Sequence, residues 1–255
     1  GEITLTAGTG GTTGGAVSIT AGTGATTGGD LTLKSGTHAA SAPASGITGK
    51  VEITTASGTS PSPSGAATGL LTLSTGASVA GASGRMAIGT GDASGGVSGS
   101  ISMTAGDTDT GAAGAIILSS GSSSEGAGGD VLITTGDGAG STTKGNGGDI
   151  KLSVGTGNLA SGGNIELTAG ESTASSPTDN GGSITLTSGA NPGLNSGDIT
   201  LQTAAAGTAG SSGKILLSSG QSPTVGTGGV EIVTGNAVHS PVAGNNDVSG
   251  SIELS

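Results

Sequence analysis

Apolar residues in this chain come as pairs two positions apart, and the pairs recur along its whole length. They stand at Ile3/Leu5, Val17/Ile19, Leu31/Leu33, Val51/Ile53, Leu71/Leu73, Met86/Ile88, Ile101/Met103 and Ile116/Leu118. The series continues at Val131/Ile133, Ile150/Leu152, Ile165/Leu167, Ile184/Leu186, Ile199/Leu201, Ile215/Leu217, Val230/Ile232 and Ile252/Leu254. That makes about 16 units, most of them roughly 15 residues apart. Each reads apolar, polar, apolar, polar, small, glycine, as in Ile165-Glu166-Leu167-Thr168-Ala169-Gly170. Period-two alternation in short aliphatic runs bounded by glycine predicts a strand with one buried face. The third inward position is small, as at Ala7, Ala21, Ser35, Thr75, Ala105, Ser120, Ala169 and Ser188.

Runs such as Gly8-Thr9-Gly10-Gly11-Thr12-Thr13-Gly14-Gly15 separate the pairs. Glycine admits the positive φ angles of tight arcs. A Gly-Gly pair before many of the apolar pairs, as at Gly28-Gly29, Gly162-Gly163 and Gly181-Gly182, marks the return of the arc.

These elements predict an all-β fold, a parallel β-solenoid (β-helix) of single-strand repeats. One strand per coil would need apolar residues on the other sides, and the runs between the pairs supply almost none. Two strands per coil, with alternate repeats in two facing sheets, answers this. An odd-even phase supports it. The residue before the pair is acidic at Glu2, Asp30, Asp130 and Asp198 on odd repeats and basic at Lys50, Arg85 and Lys214 on even ones. Asp149 breaks the pattern. Three strands per coil is the alternative. Residues 1–255 then form one continuous solenoid of about 16 repeats, uncapped at both ends. Eight coils at ~4.8 Å make a rod about 38 Å long, right-handed by the general crossover rule.

Composition sharpens this. There are 57 glycines and no Cys, Trp, Tyr or Phe, so a core must form without aromatic rings. A disordered Gly/Ser/Thr linker shares this composition, yet a linker has no reason to keep apolar pairs in register. The net charge of −11, with only six basic residues, argues against nucleic acid and against a basic membrane-surface patch. No apolar run approaches the ~20 residues of a membrane helix. The chain opens on Gly1-Glu2-Ile3 and closes within Ser251-Ile252-Glu253-Leu254-Ser255, so both ends read as cut from something longer.

Catalytic chemistry finds little support. His38 and His239 sit in long loops without metal-ligand spacing. No Gly-x-Ser-x-Gly elbow has a matching His and Asp, and no phosphate loop occurs. The prediction is a non-enzyme with no catalytic or cofactor-binding residues. Gly-Gly-Asp at Asp30, Asp130 and Asp149 resembles a fragment of the calcium-binding nonapeptide repeat, but the second Gly, the later Asp and the nine-residue period are missing. Glu2, Asp30 and Asp130 are the weak candidates for Ca²⁺. Thr4-Leu5-Thr6 and Thr185-Leu186-Thr187 resemble the Thr-x-Thr ladders of ice-binding solenoids. Lys34, Glu52, Lys151, Glu166, Ile117, Leu132 and Leu216 interrupt those columns. All seven prolines fall between the pairs, and five follow serine. Ser60, Pro61, Ser62, Pro63, Ser176, Pro177, Ser222, Pro223, Ser240 and Pro241 are therefore candidate O-glycan or hydroxyproline sites.

The unit Gly-Gly-x-Ile-x-Leu-x-x-Gly, at Gly162 to Gly170 and Gly181 to Gly189, resembles Gly/Ser/Thr-rich repeats of large extracellular microalgal proteins. It is also similar to the solenoids of bacterial filamentous adhesins. The resemblance implies a surface or filament component and transfers no functional residue. The expected function is a structural part of an extracellular fibre or cell-surface appendage. Copies associate end to end through uncapped coils, with lateral contacts between like rods. The alternative is an ice-binding or glycan-binding module.

Overall fold

The computed structural model describes residues 1–38, 47–58, 67–139, 145–173, 179–222, 226–235, 250 and 252–253. The chain divides into two compact units, Gly1–Val131 and Leu132–Ser255. Among the described residues there is neither helix nor strand. This overturns the predicted β-solenoid, with two strands per coil and with three alike, and with it the 38 Å rod and its right-handed winding. The physical reason lies in the backbone hydrogen bonds. A sheet needs N–H···O=C ladders between neighbouring segments, whereas the described backbone–backbone bonds fall at the bases of loops and in one turn, Gly210 N–H to Gly207 O. Two aliphatics in every fifteen residues offer little burial to zip a ladder against the ordering entropy of so many glycines.

The repeat is nevertheless structural, and its regularity sits at the loops. Seven residues on from Gly8, the Gly15 N–H donates to the Gly8 carbonyl at 2.8 Å, and Gly29 bonds Gly22 identically. The same bond joins Gly49 to Gly36 at 3.0 Å, Gly129 to Gly121 at 2.9 Å, Gly148 to Gly136 at 3.0 Å and Gly163 to Gly155 at 3.2 Å. It recurs from Gly182 to Gly170 and from Gly197 to Gly189, both at 2.9 Å. The acceptor is the glycine that follows the third inward residue of one apolar segment, a small residue at seven of these eight junctions and Val154 at the other. The donor is the glycine two positions before the next apolar pair. The segments that begin at Val17, Leu31, Val131, Ile150, Ile165 and Ile184 are thereby joined both to the segment before and to the segment after.

Side chains at the junction explain the small third position. A Cβ on Gly15 would meet the Ala7 Cβ at 3.3 Å, and one on Gly182 would meet the Ala169 Cβ at 3.4 Å. Gly49 faces Ser35, Gly129 faces Ser120, Gly114 faces Ala105 and Gly250 faces Thr234 in the same manner. A closing glycine and a small residue therefore form a complementary pair; where Val154 takes the small position the junction at Gly163 still closes, with the longest of these bonds at 3.2 Å.

Loop length does not alter this geometry. The bond that closes the eight residues Gly8–Gly15 also closes Gly36–Gly49 and Gly170–Gly182. Within short loops the chain doubles back so tightly that a Cβ on Gly10 would collide with the Thr13 carbonyl oxygen, and one on Gly24 with that of Thr27. Polar side chains fix other bends. Ser78 Oγ accepts from Gly81 N–H at 3.0 Å, and Ser123 Oγ from Gly126 N–H at 2.9 Å. Asn191 Oδ1 accepts from both Gly193 and Leu194 N–H at 2.9 and 3.0 Å. These are the side-chain-to-backbone turns that Ser and Asn favour.

Glycine's part here differs from the sequence expectation. Among the described residues only Gly111, at φ 102°, and Leu159, at φ 61°, hold positive φ. The loops use glycine mainly for its missing Cβ.

Candidate functional site

The apolar pairs, expected as a core, are open to solvent. No described residue is buried. First-position residues are about half exposed, as at Val17 (51 %) and Ile184 (52 %), and second-position residues more so, as at Leu186 (69 %). Ile3, which no earlier segment flanks, is 98 % exposed. The contrast shows that the preceding segment covers roughly half of each later first-position side chain, and that nothing covers the rest.

Successive pairs lie side by side. In the unit Leu132–Ser255, Ile150, Leu152, Leu167, Ile184, Leu186 and Ile199 line one open groove of about 830 Å³. Four consecutive segments contribute to it, so the aliphatics form a connected ridge and groove rather than scattered spots. Ser188 and Asp198 edge the groove. In the unit Gly1–Val131 the same alternation and the same half-exposure recur from Val17 to Leu118.

The charged residues form local pairs. Lys50 Nζ is bonded to Glu52 of its own segment, and Lys151 Nζ lies 3.1 Å from Asp149 Oδ2. All four side chains are well exposed, and such pairs contribute about 0–1 kcal/mol. Lys50, one of the basic residues that precede the pair on even repeats, is thus engaged within its own segment.

The sequence-predicted cation candidates do not converge. Glu2, Asp30 and Asp130 are exposed, and Glu2 Oε1 accepts a hydrogen bond from Thr4 Oγ1 at 3.3 Å. Among the described residues no group of three or more His or carboxylate side chains is placed to hold a metal ion. His38 is exposed, and His239 lies outside the described residues. Of the candidate modification sites, Ser222 is described and half-buried. Ser60, Pro61, Ser62, Pro63, Ser176, Pro177, Pro223, Ser240 and Pro241 lie outside the described residues. Thr4, Thr6, Thr185 and Thr187 are exposed, with Thr185 and Thr187 on the lining of the aliphatic groove.

Two features escaped the sequence reading. One is that the small residue and the next segment's closing glycine are partners. The signal was the frame around most loops, small-Gly at the entry and Gly-x-apolar at the exit. The other is that the aliphatic face stays uncovered. Its signal was the near absence of apolar residues between the pairs, which leaves no second layer to lie over them.

Among the described residues no helix is long and apolar enough to cross a membrane. Comparison of this chain with protein-family models, with curated proteins and with solved structures gives no match.

Proposed function

We propose that this protein is a non-catalytic structural component of an extracellular fibre or surface layer, built by association of like chains. One observation carries the reading: a regular aliphatic array that the chain itself leaves uncovered. The chain exposes 24374 Å². A globular protein of its 23.0 kDa would expose about 9,600 Å², and its extended chain about 33,000 Å². Single chains that hide so little apolar surface gain too little to offset ordering entropy. A repeat that keeps its form therefore draws on surface buried between molecules. The extracellular placement rests on the glycine-rich repeat and on its resemblance to extracellular repeat proteins.

The test is electron microscopy of source material labelled with antibody to this chain. Label on fibres or on an external layer is the expected result. Label confined to the cell interior, with no ordered assembly, overturns the reading.

A further inference from the structure

Resting on that reading, we infer that the aliphatic ridge is the assembly site itself, and that its occupant is the same ridge on a second copy of this chain, packed face to face.

Area is the first argument. A whole Val, Leu or Ile side chain presents roughly 60–120 Å² of apolar surface. With the pair residues of the unit Leu132–Ser255 between half and three-quarters exposed, the six pairs from Ile150/Leu152 to Val230/Ile232 offer on the order of 400–1,000 Å², a range that reaches the ~800 Å² per partner of a stable interface. Soluble monomers rarely leave contiguous apolar patches above a few hundred Å². The ridge is also continuous where the groove is seen, running through Ile150, Leu167, Ile184 and Ile199, with Asp198 the one charged residue on the groove lining.

The occupant follows from the repeat. The junction bond holds neighbouring segments together whether the loop between them is Gly8–Gly15 or Gly36–Gly49. Variable loops are thereby looped out, and the spacing of pairs along the ridge is set by the junctions instead of by sequence length. A partner must offer aliphatics at that same structural period over many segments. A second copy does so by construction. It also lacks aromatic rings, so side chains of one size class meet on both sides of the contact. A small ligand or a short peptide would cover a few segments and leave the others wet. A lipid surface would meet a chain of net charge −11 with six basic residues, which anionic headgroups repel.

Sedimentation velocity of the full chain, from micromolar to several hundred micromolar, tests this. The triple variant Leu167→Ser, Ile184→Ser, Leu186→Ser removes groove aliphatics from two neighbouring segments. The control Ile117→Ser, Leu132→Ser, Leu216→Ser removes three exposed aliphatics from the intervening positions, where exposure is 72 to 84 %. The expected result is self-association of the parent chain, weakened at least tenfold by the ridge variant and less than twofold by the control. Mixing isotopically labelled and unlabelled copies adds a readout independent of any variant: intermolecular methyl contacts between Leu167, Ile184 or Leu186 and the aliphatics of another copy. If the chain associates but both variants weaken it equally, and no ridge methyl contacts another copy, the ridge inference falls while the structural reading stands. A parent chain that remains monomeric throughout overturns both.

Discussion

Alanine at two closing glycines should act with opposite sign, although both glycines occupy the same place in the repeat. At Gly182 a Cβ would sit 3.2 Å from the Gly170 nitrogen and 3.4 Å from the Ala169 Cβ. The first distance is to backbone, which cannot rotate away, so the junction must open by a few tenths of an ångström. That movement lengthens the 2.9 Å bond from Gly182 N–H to Gly170 O, and losing such a bond costs about 0.5–1.5 kcal/mol. At Gly197 the nearest atoms to a Cβ are the Gly189 nitrogen and the Ser188 Cβ, both at 3.7 Å, an ordinary contact distance. Its bond to Gly189 O, also 2.9 Å, need not move. Neither glycine holds a positive φ, so alanine there restricts the disordered chain and stabilises the junction by about 0.4–1 kcal/mol. The two variants should therefore differ by about 0.9–2.5 kcal/mol in junction opening, roughly five- to sixtyfold in the equilibrium. Amide hydrogen exchange at residues 182 and 197, read by NMR, reports each junction separately. Gly182→Ala should speed exchange at its own amide relative to the parent, corrected for the intrinsic rate of alanine, and Gly197→Ala should slow it. Equal effects of the two substitutions, in either direction, would refute the claim that Cβ clearance at the junction decides which residue it accepts.

Further outcomes follow from the same structure. Leu159 is a non-glycine residue at φ 61° in the loop that Gly155 and Gly163 close, so Leu159→Gly should relieve about 1 kcal/mol of backbone strain and slow exchange of the Gly163 amide, whereas Leu159→Val should hasten it. Because like chains carry −11 each and the exposed Lys50–Glu52 and Lys151–Asp149 pairs are weak, raising NaCl toward 1 M should screen repulsion and tighten self-association; dissociation by salt in sedimentation runs would show that ion pairs hold the copies together. Peptides of native protein that contain Ser60 to Pro63 or Ser176-Pro177 should exceed their sequence masses by increments of sugar or of hydroxylation; peptides found only at their unmodified masses remove those sites from consideration.

The repeat itself was legible in sequence, and the fold was not. Apolar pairs, a small residue and a glycine frame are local patterns, and each has its counterpart in the structure: Ala169 against Gly182, Ser188 against Gly197, Ala7 against Gly15. The step from pattern to solenoid failed because alternation reports which side chains share a face, and says nothing of whether the backbone finds a ladder partner. Ile165 and Leu167 do share a face, and they lie half to two-thirds exposed on it. The expected cover was a facing sheet of alternate repeats, and among the described residues no sheet forms to lie over that face. The positive-φ reading of glycine failed similarly. Gly10 and Gly24 are required by the carbonyls of Thr13 and Thr27, a tertiary constraint that no single-residue propensity contains.

Separation of junction from loop explains how so irregular a sequence keeps a regular array. The eight residues from Gly8 to Gly15 and the fourteen from Gly36 to Gly49 end on the same glycine-to-glycine bond, at 2.8 and 3.0 Å. Since closing a longer loop costs only about 0.6 kcal/mol per doubling of length, loops can lengthen and take up Pro, His or modifiable Ser without disturbing the segments they join. The converse holds at the junction. A substitution at Ala169 or Gly182 changes the approach of two segments directly, and with it the spacing of Leu167 and Ile184 on either side. If the ridge pairs with its copy over many segments, an error in one spacing misaligns every segment beyond it, so the cost of a wedge grows with the length of the array. The smallest residues of the chain therefore stand where the geometry of the aliphatic face is set, and the variable ones stand where length is cheap.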